Sequence, residues 1–138
     1  MSGLFAYCKS LESLDELSNW KTKSLENMDH IFSNCEKLNN ISGISNWDIS
    51  QVTNMSSMFN ECNSLEDISY ISNWKDKTSK VENMSYMFCK CSSLTNISFL
   101  SEWDLSNVEE MNSMFEECNS LVDISNLIFK KPFKVSNN

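Results

Sequence analysis

Met55-Ser56-Ser57-Met58-Phe59-Asn60-Glu61-Cys62-Asn63-Ser64-Leu65 returns as Met84-Ser85-Tyr86-Met87-Phe88-Cys89-Lys90-Cys91-Ser92-Ser93-Leu94 and again as Met111-Asn112-Ser113-Met114-Phe115-Glu116-Glu117-Cys118-Asn119-Ser120-Leu121. The cysteine of this phrase also stands at Cys8 and Cys35, so that successive intervals are 27, 27, 29 and 27 residues. Self-similarity at such a period marks a repeat array, in which each unit is too small to bury its own apolar face and must stack on its neighbours. Units begin near residues 1, 28, 55, 84 and 111. The array is expected to span 1–127, leaving 128–138 as a divergent tail or partial cap in which Lys130 replaces the expected tryptophan and Pro132 ends the pattern. Met1–Cys8 is already in register with the repeat, as in a piece of a longer array.

The composition excludes several classes of function. With 19 acidic and 11 basic residues the chain carries a net charge of -8, which argues against nucleic acid as a partner, because phosphate binding needs a clustered basic face. Lys130, Lys131 and Lys134 form too small a cluster to anchor a membrane. No stretch approaches the roughly 18 apolar residues of a bilayer span, and Lys9, Glu12, Asp15 and Glu16 interrupt any signal-peptide core. There are two glycines and one proline, so bends fall to Asn, Ser and Asp, whose side chains hydrogen-bond nearby backbone.

Within one unit, the residue after the first Met is Ser2, Asp29, Ser56, Ser85 or Asn112, each able to cap a helix, and a short helix is expected from there. Met58, Phe59 and Cys62 would line its buried side. Leu65, Ile68 and Ile71, spaced by three, suit a short strand running into a bend, as do Leu38, Ile41 and Ile44. Trp20, Trp47, Trp74 and Trp103 should form an aromatic ladder in the core. From Trp the chain takes five residues to Leu25, Val52 or Val108 but seven to Val81. The charged stretch Lys75–Lys80 is therefore expected to bulge outward, and insertions in repeat arrays often collect on the binding face.

Five of the six cysteines share one column about 5 Å apart, close enough to pair, yet they read better as free thiols on the buried side. Cys89 occupies a position held elsewhere by Ala6, Ser33, Asn60 and Glu116 and is expected to be the one exposed, reactive thiol. Cys89-Lys90-Cys91 lacks the second pair of ligands that a metal site needs. His30, the sole histidine, has no partner set aside for catalysis, and neither a phosphate loop nor a serine nucleophile motif is present. No catalytic residue, cofactor or metal is expected. Four Asn-x-Ser sequons, at Asn40, Asn54, Asn83 and Asn96, follow from the repeat itself, and Asn27, Asn54 and Asn83 read as an internal hydrogen-bonded ladder. One varying column reads Glu16, Gly43, Tyr70, Phe99, Asn126. It places Tyr70 and Phe99 on adjacent rungs as an aromatic pair, bordered by Asp67, Asn96 and Asp123, and these five residues with Glu16 are the candidate partner-binding positions.

The phrase Val52-Thr53-Asn54-Met55 through Leu65, closed by Ile71-Ser72-Asn73-Trp74, resembles the BspA-type leucine-rich repeat, also known as DUF285 or the mycoplasma lipoprotein-associated repeat, over about residues 1–127. The resemblance implies an α/β repeat solenoid, leucine-rich-repeat-like, with short parallel strands and one short helix in each rung of about 27 residues. It further implies a non-enzymatic module that binds a protein or extracellular-matrix ligand, at the cell surface or secreted, although no signal peptide or anchor is legible in the chain. The alternative is a structural spacer in a longer repeat protein. Uncapped rungs could also associate end to end.

Overall fold

The computed structural model describes residues 1–122. Asp123, Asn126 and the tail from 128 lie outside the described residues. Five rungs stack in sequence order, and each of the first four ends its inner course in a 3-10 helix: η1 (Asp15–Leu17), η2 (Ser42–Ile44), η3 (Ser69–Lys77) and η4 (Ser98–Glu102). Among the described residues there is neither an α-helix nor a strand of more than one bridge. Parallel pairing is confined to isolated contacts, Ser13 with Asn40 and the series Asn27, Asn54, Asn83 and Glu110.

The helix expected after Met55 is replaced by consecutive tight turns, and the reason lies in two left-handed residues per rung. Ser57 and Glu61 have φ of 55° and 61°, and His30, Asn34, Tyr86, Lys90, Ser113 and Glu117 repeat the pattern. A residue in that region stops a right-handed helix at once. Instead, alternate amides serve two ladders. Those of Met58, Asn60 and Cys62 close turns onto Met55, Ser57 and Phe59, at 3.2, 3.2 and 3.1 Å. Those of Met55, Ser57, Phe59 and Glu61 donate to the carbonyls of Asn83, Ser85, Met87 and Cys89 in the next rung, at 2.8–2.9 Å. With the Ser56 amide donating to Oδ1 of Asn54, every amide from Met55 to Cys62 is satisfied without a helix or a sheet. In each of the first four rungs the helical turn falls later and takes in the last aliphatic of the run that had been expected to form a strand, as Ile44 in η2 and Ile71 in η3.

Asx turns make the corners. Oδ1 of Asn27, Asn54 and Asn83 accepts from the amide two residues on, at 2.8, 2.9 and 2.9 Å. Asn40, Asp67 and Asn96 do the same in a second column, and Asp48 and Asp104 in a third. The Asn-x-Ser sequons are thus turn signatures, with the serine amide as donor. The expected asparagine ladder exists as backbone pairing plus these turns, though Asn27 is exposed and Asn54 and Asn83 are half-buried.

Side chains stack in columns across the rungs. Phe5, Phe32, Phe59, Phe88 and Phe115 follow one another with ring centroids 5.7–5.9 Å apart and interplanar angles of 1–16°. Trp47, Trp74 and Trp103 are fully buried, as the sequence indicates, whereas Trp20 in the first rung is 39% exposed. The indole N–H of Trp47 donates to the Leu17 carbonyl at 3.0 Å and that of Trp74 to Ile44 at 3.2 Å. The cysteines also reach back one rung: the thiols of Cys35, Cys62, Cys91 and Cys118 donate to the carbonyls of Phe5, Phe32, Phe59 and Phe88 at 3.2, 3.2, 3.1 and 2.9 Å. All six are free. A cysteine suits this column because it is small, apolar and still a donor.

Two outcomes follow from this packing. Asn54→Ala removes an acceptor from a half-buried corner and is expected to cost about 1 kcal/mol in a urea melt, while Asn54→Asp, which keeps the acceptor, costs much less. Burial pushes the Cys35 and Cys118 thiols up to about 11 and raises Cys62 and Cys91 as well, from a starting value of 9.0. Because the folded state holds these protons more tightly, their contribution is complete below pH 9 and is lost as the pH rises through the folded values. Stability is expected to fall between about pH 9 and pH 11, and at pH 8 an aromatic disulfide reagent should titrate Cys8 rapidly and the other five thiols only after denaturation.

Candidate binding surface

The column that carries the candidate residues is not a continuous exposed row. Gly43 is buried against the first rung, where a Cβ would lie 1.8 Å from the Leu14 carbonyl oxygen. Only glycine fits there, so Glu16 is cut off from Tyr70. Glu16 itself is exposed. Beside it, Asp15 accepts from Ser42 Oγ at 2.7 Å, and this bond, with further ones from Ser13 and Asn40, holds the Asp15 carboxyl below the usual range.

Tyr70, in η3, is 41% exposed, and Phe99, in η4, is half-buried. They sit on adjacent rungs, but their rings are not among the stacked pairs. Phe99 instead tilts over Trp103, with centroids 5.9 Å apart at 58°. Asp67 and Asn96 are exposed, yet each spends Oδ1 on its turn, accepting from Ser69 and Ser98 at 2.8 and 2.9 Å. Asp123 lies outside the described residues.

Cys89 is corrected outright. It is 5% exposed, and burial raises its thiol, the opposite of a reactive cysteine. The column lies close under the surface: Ser33 is also buried, Asn60 half-buried and Glu116 exposed. A long side chain there reaches water, whereas a short thiol remains beneath it. His30 is exposed, with Nδ1 3.4 Å from Asp29 Oδ2. Among the described residues, no group of three or more His, Cys, Asp or Glu is placed to hold a metal ion, and no helix is long and apolar enough to cross a membrane.

The two-residue insertion does not form a loose outward loop. It extends η3 to nine residues, against three, three and five in the other rungs. Lys75 and Asp76 are exposed, but Lys77 Nζ donates to the Trp47 carbonyl at 3.2 Å, and Thr78 is fully buried, its hydroxyl donating to the Asp104 carbonyl at 3.1 Å. The extra turn raises a wall. Between it and η4 runs a shallow groove of about 420 Å³ lined by Ser72, Asn73, Lys75, Asp76, Phe99 and Glu102. At the same junction, the indole N–H of Trp103 is buried without the carbonyl partner that its counterparts find. Ser72, Asn73 and Glu102 were not singled out by the sequence, since they occupy ordinary repeat positions; the longer Trp74–Val81 interval was the one signal pointing to this place.

The family model described as "Mycoplasma protein of unknown function, DUF285" matches residues 1–127. No curated protein matches the chain. The crystal structure of a leucine-rich repeat protein from T. pallidum is similar over 87% of this chain and 48% of its own length, with 21% identity and a TM-score of 0.52. A leucine-rich repeat protein from Bacteroides ovatus aligns over 99% of this chain and 39% of its own, with 19% identity and a TM-score of 0.49. The chain thus spans less than half the length of either solved structure. With its repeat phrase matched almost from end to end and its rungs stacked as in a leucine-rich repeat protein, the chain belongs to the DUF285 family.

Proposed function

We propose that this chain is a non-enzymatic binding module that holds a protein or extracellular-matrix ligand on the surface around η3 and η4, at the groove bounded by Asn73, Asp76, Phe99 and Glu102. The observation that carries the proposal is the departure of this one junction from the repeat. Here an added helical turn, a partly exposed phenylalanine over Trp103 and the exposed Tyr70 coincide on neighbouring rungs. Aromatic groups set among polar ones are the usual anchors of a protein interface. The role as an adhesion module at a cell surface is the form this reading takes for a member of the family. A spacer without a ligand is the competing reading, favoured by the unbroken Phe ladder that ties all five rungs into one rod.

Purified matrix proteins, tested by surface plasmon resonance on the immobilised chain, separate the two. Tyr70→Ala and Asn73→Arg alter exposed side chains outside the stacked columns. Each is expected to weaken binding about tenfold or more, equivalent to about 1.4 kcal/mol, with an unchanged melting curve. Binding unaffected by both substitutions moves the site elsewhere, and no binding to any matrix protein favours the spacer.

A further inference from the structure

Depth identifies the residues added in the third rung. Thr22, Ile49 and Leu105 stand two residues after their tryptophans and are buried, whereas after Trp74 that buried position is taken by Thr78, four residues on. Lys75 and Asp76 are therefore the insertion, and both line the groove of about 420 Å³ between η3 and η4. A space of that size suits a small ligand or the end of a chain molecule.

Five of the six lining residues are polar, Ser72, Asn73, Lys75, Asp76 and Glu102, and Phe99 is the sole apolar one. At its corners the protein spends such groups on itself: Oδ1 of Asn40, Asp48, Asn54, Asp67 and Asn83 each holds a turn. The side chains of Asn73, Lys75, Asp76 and Glu102 are exposed and make no hydrogen bond or ion pair among the described residues. Uncommitted donors and acceptors thus surround one half-buried ring, itself resting on Trp103. The walls are 3-10 helices rather than strand edges, so an extended peptide finds no ladder to join and no desolvated apolar pocket for an anchor. A sugar ring makes the complementary demands. Its C–H face covers an aromatic ring, while its hydroxyls, each a donor and an acceptor, suit amide and carboxylate groups at the rim. Asp76 and Glu102 outnumber Lys75 in a chain of net charge -8, which disfavours sulfated or carboxylated sugars.

We propose that the groove between η3 and η4 binds a neutral glycan, with a sugar ring stacked on Phe99 and its hydroxyls held by Asn73, Asp76 and Glu102. The inference rests on the reading of this junction as the binding site and names the class of ligand that it takes. Lys75 and Asp76, absent from the other rungs, confine recognition to this one place on an otherwise regular stack.

The test is an NMR titration of the isotope-labelled chain with chitotetraose, mannotetraose and lacto-N-tetraose, all neutral, and with a heparin tetrasaccharide. At least one neutral probe is expected to shift the amides of 72–76 and 99–102 to saturation, and heparin to bind about tenfold more weakly or worse. Phe99→Leu keeps apolar cover over Trp103 but removes the ring face, and should lose about tenfold in affinity, whereas Phe99→Tyr should retain it. Asp76→Ala and Glu102→Ala, at exposed positions with no bond to lose, should also weaken sugar binding, which keeps the test decisive even if a Phe99 variant fails to fold. Groove amides that respond to no neutral probe overturn the proposal, as do heparin bound as tightly as the neutral sugars and sugar binding untouched by all of Phe99→Leu, Asp76→Ala and Glu102→Ala. Matrix proteins stripped of their glycans, passed over the immobilised chain, separate this inference from the reading beneath it. If they bind and Asn73→Arg abolishes the binding, the groove holds a protein and only the glycan inference falls. If neither they nor any sugar reaches the groove, both fall.

Discussion

Half of the amides in each Met-to-Cys segment point along the stack and have no partner within their own rung. That one constraint governs the rest of the structure. A buried amide without an acceptor costs on the order of 1–3 kcal/mol, so a lone rung, facing several such amides and an apolar side with nothing to cover it, has no stable fold. The neighbouring rung supplies both the carbonyls and the cover. Its register is held even across the longer unit: Met28 donates to Asn54, 26 residues on, and Met55 to Asn83, 28 residues on. The added residues are absorbed in η3 and leave the ladder undisturbed.

The ladder explains the unusual composition. Left-handed residues twice in each rung would ordinarily call for glycine, yet apart from Gly3 these positions hold His, Ser, Tyr, Asn, Glu and Lys. The inter-rung hydrogen bonds on either side hold them there, which is how backbone strain persists in folded proteins. Corners are made by Asn, Asp and Ser side chains, which explains why so few glycines and prolines suffice. The cysteine column belongs to the same scheme, donating weakly to carbonyls that already accept a turn amide.

A regular stack presents similar surfaces on every rung, so recognition of a particular partner depends on departures from regularity. The junction of η3 and η4 is one such departure: the longer η3, the groove and the tilt of Phe99 over Trp103 coincide there. The orphaned indole of Trp103 marks the same place from within the core. Acidic excess is spread over the surface, with Lys9–Glu36 and Lys90–Glu61 as the exposed ion pairs between rungs, and pairs of that kind contribute little to stability.

The sequence by itself determined the period, the Phe, Trp and Cys columns and the family, because stacking places identical residues at identical depths and so writes burial directly into the repeat. It also marked the insertion, as an odd interval. Only the tertiary structure decided how each rung bends. Ser57 and Glu61 carry no local signal for left-handed backbone, since the bonds that hold them there come from another rung, and this is why a capped helix was expected where turns are found. Tertiary packing likewise buried Cys89, whose depth depends on side-chain length rather than on the charge tolerated at its position. It closed the column at Gly43, a contact made with another rung that no single rung contains, and it turned Phe99 onto Trp103 of its own rung instead of onto Tyr70.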